Sequence, residues 1–393
     1  MAEHKSDVVV IGGGMVGAAA ALGLAQAGFT VTVVENRKPR PFDASQPPDL
    51  RISAISASSV ALLESIGVWK TLRHMRSAAY RGLETWEWEA SRVSFSAQEL
   101  GIPELGYMLE NEVLQLALWQ HLEQMPNISL MVPAELKTIA QNQDVWNVEL
   151  SDGREIETKL VLGADGANSL VRAQAGIGVR GWQYRQSCML ITVQTQEDPL
   201  DVTWQQFTPQ GPRAFLPLWD NWASLVWYDS PARIRQLMAL PMSQLTQEIK
   251  QTFPARLGDV TAVAAGSFPL VRRHANRYVQ SGLALLGDAA HTINPLAGQG
   301  VNLGYRDVDA LLDVVINARQ QGEIWYSEEI LKRYQHRRRP DNLLMQAGMD
   351  LFYSAFSNEL KPLQLVRNLG LMAAERSGEL KKRALKYALG CRS

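Results

Sequence analysis

The chain has 393 residues, 46% of them hydrophobic and 20% charged, with a formal net charge of -1. That composition excludes the disordered and fibrous classes, leaves room for two intimate domains or one composite one, and offers no general attraction for nucleic acid. The two cysteines, Cys188 and Cys391, share no spacing motif, which argues against a disulfide framework or a thiolate metal site.

The polar start before Val8 lacks a secretory h-region, and no apolar run reaches the roughly 18 residues a membrane span needs. A cytoplasmic protein is expected, free to touch a membrane surface. Val8-Val9-Val10-Ile11 reads as a buried parallel strand. Gly12-Gly13-Gly14-Met15-Val16-Gly17 follows at once, then a helix from Ala18 to Ala27 and a strand from Thr30 to Val34 that ends in Glu35. That is a complete β-α-β unit with an acid about 18 residues after the last glycine. Arg37 to Pro48 reads as loop, Ser56 to Ile66 as helix, Leu83 to Phe95 as half-buried strand, and Glu112 to Gln124 as helix. Trp146 to Leu150, Asp152-Gly153 and Glu155 to Glu157 predict a hairpin with a type I′ turn.

Leu160 to Gly163 is a second buried strand, running into Gly163-Ala164-Asp165-Gly166-Ala167-Asn168-Ser169-Leu170-Val171-Arg172. Between about Trp182 and Pro269 the chain is rich in Trp, Gln and Thr and alternates, which predicts an antiparallel sheet offering one broad face. Leu283 to Leu286 is a third buried strand, before Gly287-Asp288-Ala289-Ala290-His291 and Pro295-Leu296-Ala297-Gly298-Gln299-Gly300. From Val301 onward the pattern is mostly helical.

Three glycine-bearing segments thus follow three buried strands. Gly12, Gly14 and Gly17 permit a tight turn and close approach to a pyrophosphate, with free N–H groups at the next helix start; Glu35 is spaced to meet an adenosine ribose. Asp288 can hold a ribityl hydroxyl, which a nicotinamide dinucleotide does not present. Gly298-Gln299-Gly300 would aim N–H groups at the negative charge of a reduced flavin. Plainer readings exist for each: a glycine turn needed for packing, or Asp288 as a helix cap. Asp165 can cap a short helix, with Arg172 turning back on Ser169.

Taken together, Gly12-x-Gly14-x-x-Gly17, Asp165-Gly166-x-x-Ser169-x-x-Arg172 and Gly287-Asp288-x-x-His291-x-x-x-Pro295-x-x-Gly298-Gln299-Gly300-x-Asn302 closely resemble the group A flavin monooxygenases, the para-hydroxybenzoate hydroxylase-like family. Asp49 to Ser56, Leu83 to Trp88 and Asn302 to Val308 are similar to the ubiquinone-biosynthesis hydroxylases within it. The resemblance spans essentially the whole chain. It implies an α/β fold: a Rossmann-like FAD-binding domain (1–75, 101–180 and 270–335), an inserted antiparallel substrate sheet (76–100 and 181–269) and a C-terminal helical region (336–393). It implies tightly bound FAD, transient NAD(P)H and O2 as co-substrate, a flavin C4a-hydroperoxide, and hydroxylation of a polyprenylated demethoxy-benzoquinol.

The resemblance also places Arg51, Asp165, Gly298, Gly300 and Asn302 at the cofactor, beside Gly12, Gly14, Gly17, Glu35 and Asp288. Pro295, Gly298 and Gln299 would surround the flavin ring. Asn111 stands where many relatives carry an arginine. Such chemistry asks the protein for position and dryness rather than acid–base machinery, and none of the six histidines has a legible proton-accepting role. On the substrate side, Arg213, Phe215 and Trp227 are the candidates. The stretch from Lys361 to Arg392 mixes apolar residues with Arg367, Arg376, Lys381, Lys382, Arg383 and Lys386. It suits an anionic inner-membrane surface, a partner protein, or a helix packed on the domain with a solvated charged face. Competing functions are a sister hydroxylase of another ring position, a reductase or halogenase on the same fold, and a non-catalytic FAD-bound subunit.

Overall fold

A computed structural model describes residues 4–196, 200–293, 300–356 and 361–390. β1 (His4–Ile11), α1 (Met15–Gln26) and β2 (Val31–Val34) form the opening unit, β1 and β2 pairing in parallel. Val8, Val9 and Val10 are wholly buried, so the run is apolar on both faces because both faces are covered. β3 (Ile52–Ser56) leads to α2 (Ala57–Ser65), α3 (Trp69–His74) and β4 (Ala78–Tyr80). β5 (Gly82–Trp86) and β6 (Val93–Ser96) make a hairpin rather than one long strand, followed by α4 (Ala97–Leu100) and β7 (Gly106–Glu110). β7 pairs with β3 and β4 in a small sheet of three strands.

α5 (Asn111–Leu122) and β8 (Ile128–Met131) return the chain to the first sheet, beside β2. β9 (Leu136–Asn142), β10 (Val145–Leu150) and β11 (Glu155–Gly163) follow, β11 lying parallel to β1 on its other side. The β10–β11 turn is not type I′. That turn needs positive φ at both central residues, and of Asp152 and Gly153 only the glycine has it, at 85°.

After α6 (Leu170–Gln174), β12 (Val179–Thr195), β13 (Val202–Gln206), β14 (Arg213–Pro217) and β15 (Trp222–Asp229) enter a second eight-stranded sheet. Two helices then interrupt the stretch expected to be all sheet: α7 (Pro231–Met238) and α8 (Met242–Thr252). The start signal of α7 is local, with Ser230 Oγ accepting the Arg233 N–H at 3.2 Å and Pro231 in the first turn. Both helices pack on one face of the sheet, α7 against β12 and α8 against β16 (Val260–Ala275). The sheet is antiparallel except where β13 runs parallel to β5.

β17 (Val279–Gln280) and β18 (Leu283–Leu285) complete the first sheet, whose order is β17-β18-β11-β1-β2-β8 with β10 and β9 branching from β11. β19 (His291–Thr292) pairs with β16. The helices α9 (Gly300–Gln320), α10 (Glu328–Phe356), α11 (Lys361–Glu375) and α12 (Glu379–Leu389) close the chain. Among the described residues no helix is long and apolar enough to cross a membrane.

Candidate cofactor and active site

The three glycine segments converge, and each pair of them meets directly. First and second touch at Gly12, where a Cβ would strike the Ala164 carbonyl oxygen and stand 2.9 Å from Asp165 N. First and third touch through Val16, which packs 3.3 Å from where a Gly287 Cβ would lie and 2.6 Å from that of Gly304. Second and third are joined by Arg172. Its Nη1 donates to Ala289 O at 2.8 Å and its Nη2 to Ala167 O at 2.9 Å. The expected pairing of the Arg172 side chain with Ser169 does not form. Ser169 Oγ instead accepts the Arg172 backbone N–H, capping α6, and burial lowers the guanidinium's pKa.

α1 begins at Gly14 with no side-chain cap and no acid in its first turn. A Cβ on Gly14 would have nothing within 4 Å, so the backbone there faces open space. Uncapped N–H groups beside an open approach are what a pyrophosphate requires. Gly17 is forced too, since its Cβ would collide with the Gly12 carbonyl. α5 braces the loop from behind, Gln115 Nε2 and Trp119 Nε1 both donating to Gly13 O at 2.9 and 2.7 Å. Glu35 Oε2 accepts the Gly13 N–H at 2.7 Å, and Oε1 accepts the Asn36 N–H at 2.9 Å. The carboxylate keeps acceptor capacity for a ribose. It lines a groove of about 560 Å³ with Asn36, Arg37, Glu112 and Gln115.

Asp165 Oδ2 accepts the Leu170 and Val171 N–H groups at 2.7 and 3.1 Å, while its Oδ1 is buried with no partner among the described residues. Asp288 is exposed by surface area, yet burial raises its pKa, with His291 and Arg51 pulling it back. Water reaches the Asp288 side chain, but the atoms crowded round it leave little bulk solvent. Arg51 is exposed and near enough to act on that carboxyl, its guanidinium 4.4 Å from the Phe268 ring centroid. Asn111 holds this corner, Oδ1 accepting from Ser53 Oγ at 2.6 Å and its N–H donating to Arg51 O at 3.0 Å. An FAD fits this set: glycine cradle, uncapped helix start, ribose acid, cleft carboxylate and cation. Pro295, Gly298 and Gln299 lie outside the described residues; Gly300 opens α9 with open space about its Cα.

Two expectations need correction. Asn302, expected to bind the cofactor, has its side chain engaged within the protein. Oδ1 accepts from Ser56 N at 3.0 Å and Ser59 Oγ at 2.7 Å, and Nδ2 donates to Ala54 O at 2.7 Å, so it clamps α9 to β3 and α2. Arg213, Phe215 and Trp227, expected to meet substrate, lie on the face of the second sheet that α7 and α8 cover. Phe215 and Trp227 are buried with Leu237, Leu245 and Ile249 under α7 and α8, and Arg213 Nη1 donates to Thr252 O at 2.6 Å. The opposite face, carrying Cys188, Leu216, Val226 and Tyr228, packs against Ile52 and Met108 of the small sheet beside Arg51. Trp86 also belongs to the outer cluster.

A family profile described as FAD binding domain matches residues 5–345. The chain belongs to this FAD-binding family. Along the sequence it is 64% identical to the 3-demethoxyubiquinol 3-hydroxylase of Escherichia coli, over 99% of this chain and 100% of that one. It is 32% identical to the mitochondrial ubiquinone biosynthesis monooxygenase COQ6 of Rattus norvegicus, over 97% of this chain and 90% of the relative. Its fold matches the crystal structure of p-nitrophenol 4-monooxygenase from Pseudomonas putida at a TM-score of 0.82 and 20% identity, each chain fully covered. The protein is thus an FAD-dependent monooxygenase.

Within this flavin monooxygenase a buried polar network behind the third segment escaped the sequence reading. It runs from Asp307 through Arg338, Asn342 and Tyr278 to His274, which pairs with Gln346 at 2.8 Å. One signal was available: Asp307 sits between Leu303, Val308 and Leu311 on the buried stripe of α9, where an acid needs a partner.

Proposed function

We propose that the protein hydroxylates the ring of a polyprenylated demethoxy-benzoquinol in ubiquinone biosynthesis, with NAD(P)H as reductant and dioxygen as oxidant. The observation that carries this reading is the likeness to the Escherichia coli 3-demethoxyubiquinol 3-hydroxylase along almost the entire chain. Bound FAD supplies the redox chemistry that activates dioxygen. The chain's own residues supply placement. The N–H groups opening α1 hold the pyrophosphate, Glu35 the ribose, and Asp288 a ribityl hydroxyl, with Arg51 offering positive charge on the same cleft. The inner sheet face, with Leu216 and Val226 over Ile52 and Met108, keeps the reacting ring dry and oriented. A quinol ring becomes electron-rich once a hydroxyl proton passes to an acceptor.

A polyprenyl tail also suits contact with a membrane. α11 and α12 support this with exposed Leu365, Val366 and Leu369 beside exposed Arg376, Arg383 and Lys386. Arg367 and Lys381 do not join that surface, being buried against Glu87 and Glu375.

The test uses purified holoprotein and a short-chain demethoxyquinol. NAD(P)H consumption stimulated by the quinol, with equimolar hydroxylated product, is expected; bound flavin without turnover would leave the non-catalytic subunit standing. Quinone lipids of a deletion strain grown in air settle the ring position. Accumulated demethoxy intermediate is expected, whereas an earlier precursor assigns a sister hydroxylase.

A further inference from the structure

Behind the turn that carries Asp288 lies a hub that cofactor contact alone does not explain. Asp307, on α9, is fully buried and its carboxylate receives four groups. Oδ2 accepts from the Gly287 N–H at 3.2 Å and from His291 Nε2. Oδ1 accepts from Arg338 Nε at 2.9 Å and Asn342 Nδ2 at 3.1 Å. The Asn342 amide has only one sensible orientation, because its Oδ1 accepts from Arg338 Nη2 at 2.7 Å. Three of the four partners are therefore obligate donors. Asp307 is ionised, and His291 Nε2 carries a proton toward it. Arg338 in turn reaches Asp341 at 2.5 Å, so the buried charge is paired on both sides.

A purely structural ion pair would need only Arg338 and Asn342, which tie α9 to α10. The other two partners, residues 287 and 291, bracket Asp288. We infer that Asp307 is a positioning residue for the flavin, fixing both ends of the Gly287–His291 turn and thereby setting where Asp288 stands in the cleft. The inference rests on the reading of Asp288 as a cofactor ligand. Asp307 touches no ligand itself; it acts through the turn.

The test titrates FAD into full-length apoprotein and follows quenching of flavin fluorescence, with far-UV circular dichroism and thermal midpoints alongside. Asp307→Asn keeps the shape and removes the charge; it should retain the helical spectrum yet bind FAD at least about tenfold more weakly. Asp288→Asn should lose a similar factor. The double variant should be little worse than either single one, because both remove the same contact. Tyr278→Phe cuts the far arm of the network, where Tyr278 OH meets Asn342 and His274. It should lower the thermal midpoint while leaving FAD affinity within about twofold. A folded Asp307→Asn with native affinity, or losses that simply add, overturns the positioning role. Native affinity in Asp288→Asn overturns the ligand reading beneath it instead. Should Asp307→Asn fail to fold, His291→Gln removes one of the four partners; weakened FAD binding supports the inference, and unchanged binding overturns it.

Discussion

His274 sits at the far end of the polar network, 5% exposed, between Gln346 and Tyr278. Burial, and secondarily the nearby His291, hold its ring down to about 4 from an ordinary 6.5. The unfolded chain therefore takes up a proton that the folded site refuses. Stability is full above pH 6.5 and falls as pH drops through the window to 4, by up to about 3 kcal/mol. Asp307 has the same sign: burial would raise its carboxyl, but His291 and Arg338 outweigh it and keep the group below its usual range. Its contribution is lost at more acid pH. Urea midpoints between pH 7 and 4.5 should fall in the native protein and fall less in His274→Gln. Equal slopes in the two would remove His274 from the account. At this scale the sequence is hardest to read. Arg172 and Asn302 were visible as polar residues in a motif, but their partners Ala289 and Ala54 lie 117 and 248 positions away.

The helices α7 and α8 decide which face of the second sheet is turned away from the small sheet and Arg51. Alternation along β14 and β15 separates Phe215 and Trp227 from Leu216 and Val226, yet it cannot say which set lies under the helices and which against the small sheet. Leu245 of α8 is wholly buried in the covered set. Leu245→Ala should cost about 2–5 kcal/mol in urea unfolding while leaving the KM for the quinol analogue unchanged. A raised KM with native stability would return Phe215 and Trp227 to the substrate side. The glycine segments, by contrast, were legible because backbone geometry itself demands the residue. Gly12 has φ of 99°, and at Gly12 and Gly17 a side chain would strike main-chain atoms.

Over the whole molecule the C-terminal helices are tied down at several points. Arg367 Nε bonds Glu87 at 2.7 Å, Tyr387 OH donates to Asp341 at 2.8 Å, and Ser58 Oγ donates to Leu389 O at 2.8 Å. The amphipathic pattern was readable, but its burial of Arg367 and Lys381 was not, since Glu87 and Glu99 are far off in the chain. The remaining exposed cations should carry the protein to anionic vesicles. Co-sedimentation with phosphatidylglycerol vesicles is expected and should weaken with salt. At about 1 kcal/mol per cation, Arg383→Glu with Lys386→Glu should lower binding more than tenfold. Native protein that ignores such vesicles would remove the membrane reading.

The central strand β1 is paired on one side with β11, and β11 in turn with β18. During synthesis β1 can meet β2 early, but its second neighbour is not available until Gly163 has been made. Over that interval one edge of the apolar run Val8 to Ile11 stays open. The three-segment cradle closes later still, since Gly287 and Ala289 must emerge before they can meet Val16 and Arg172.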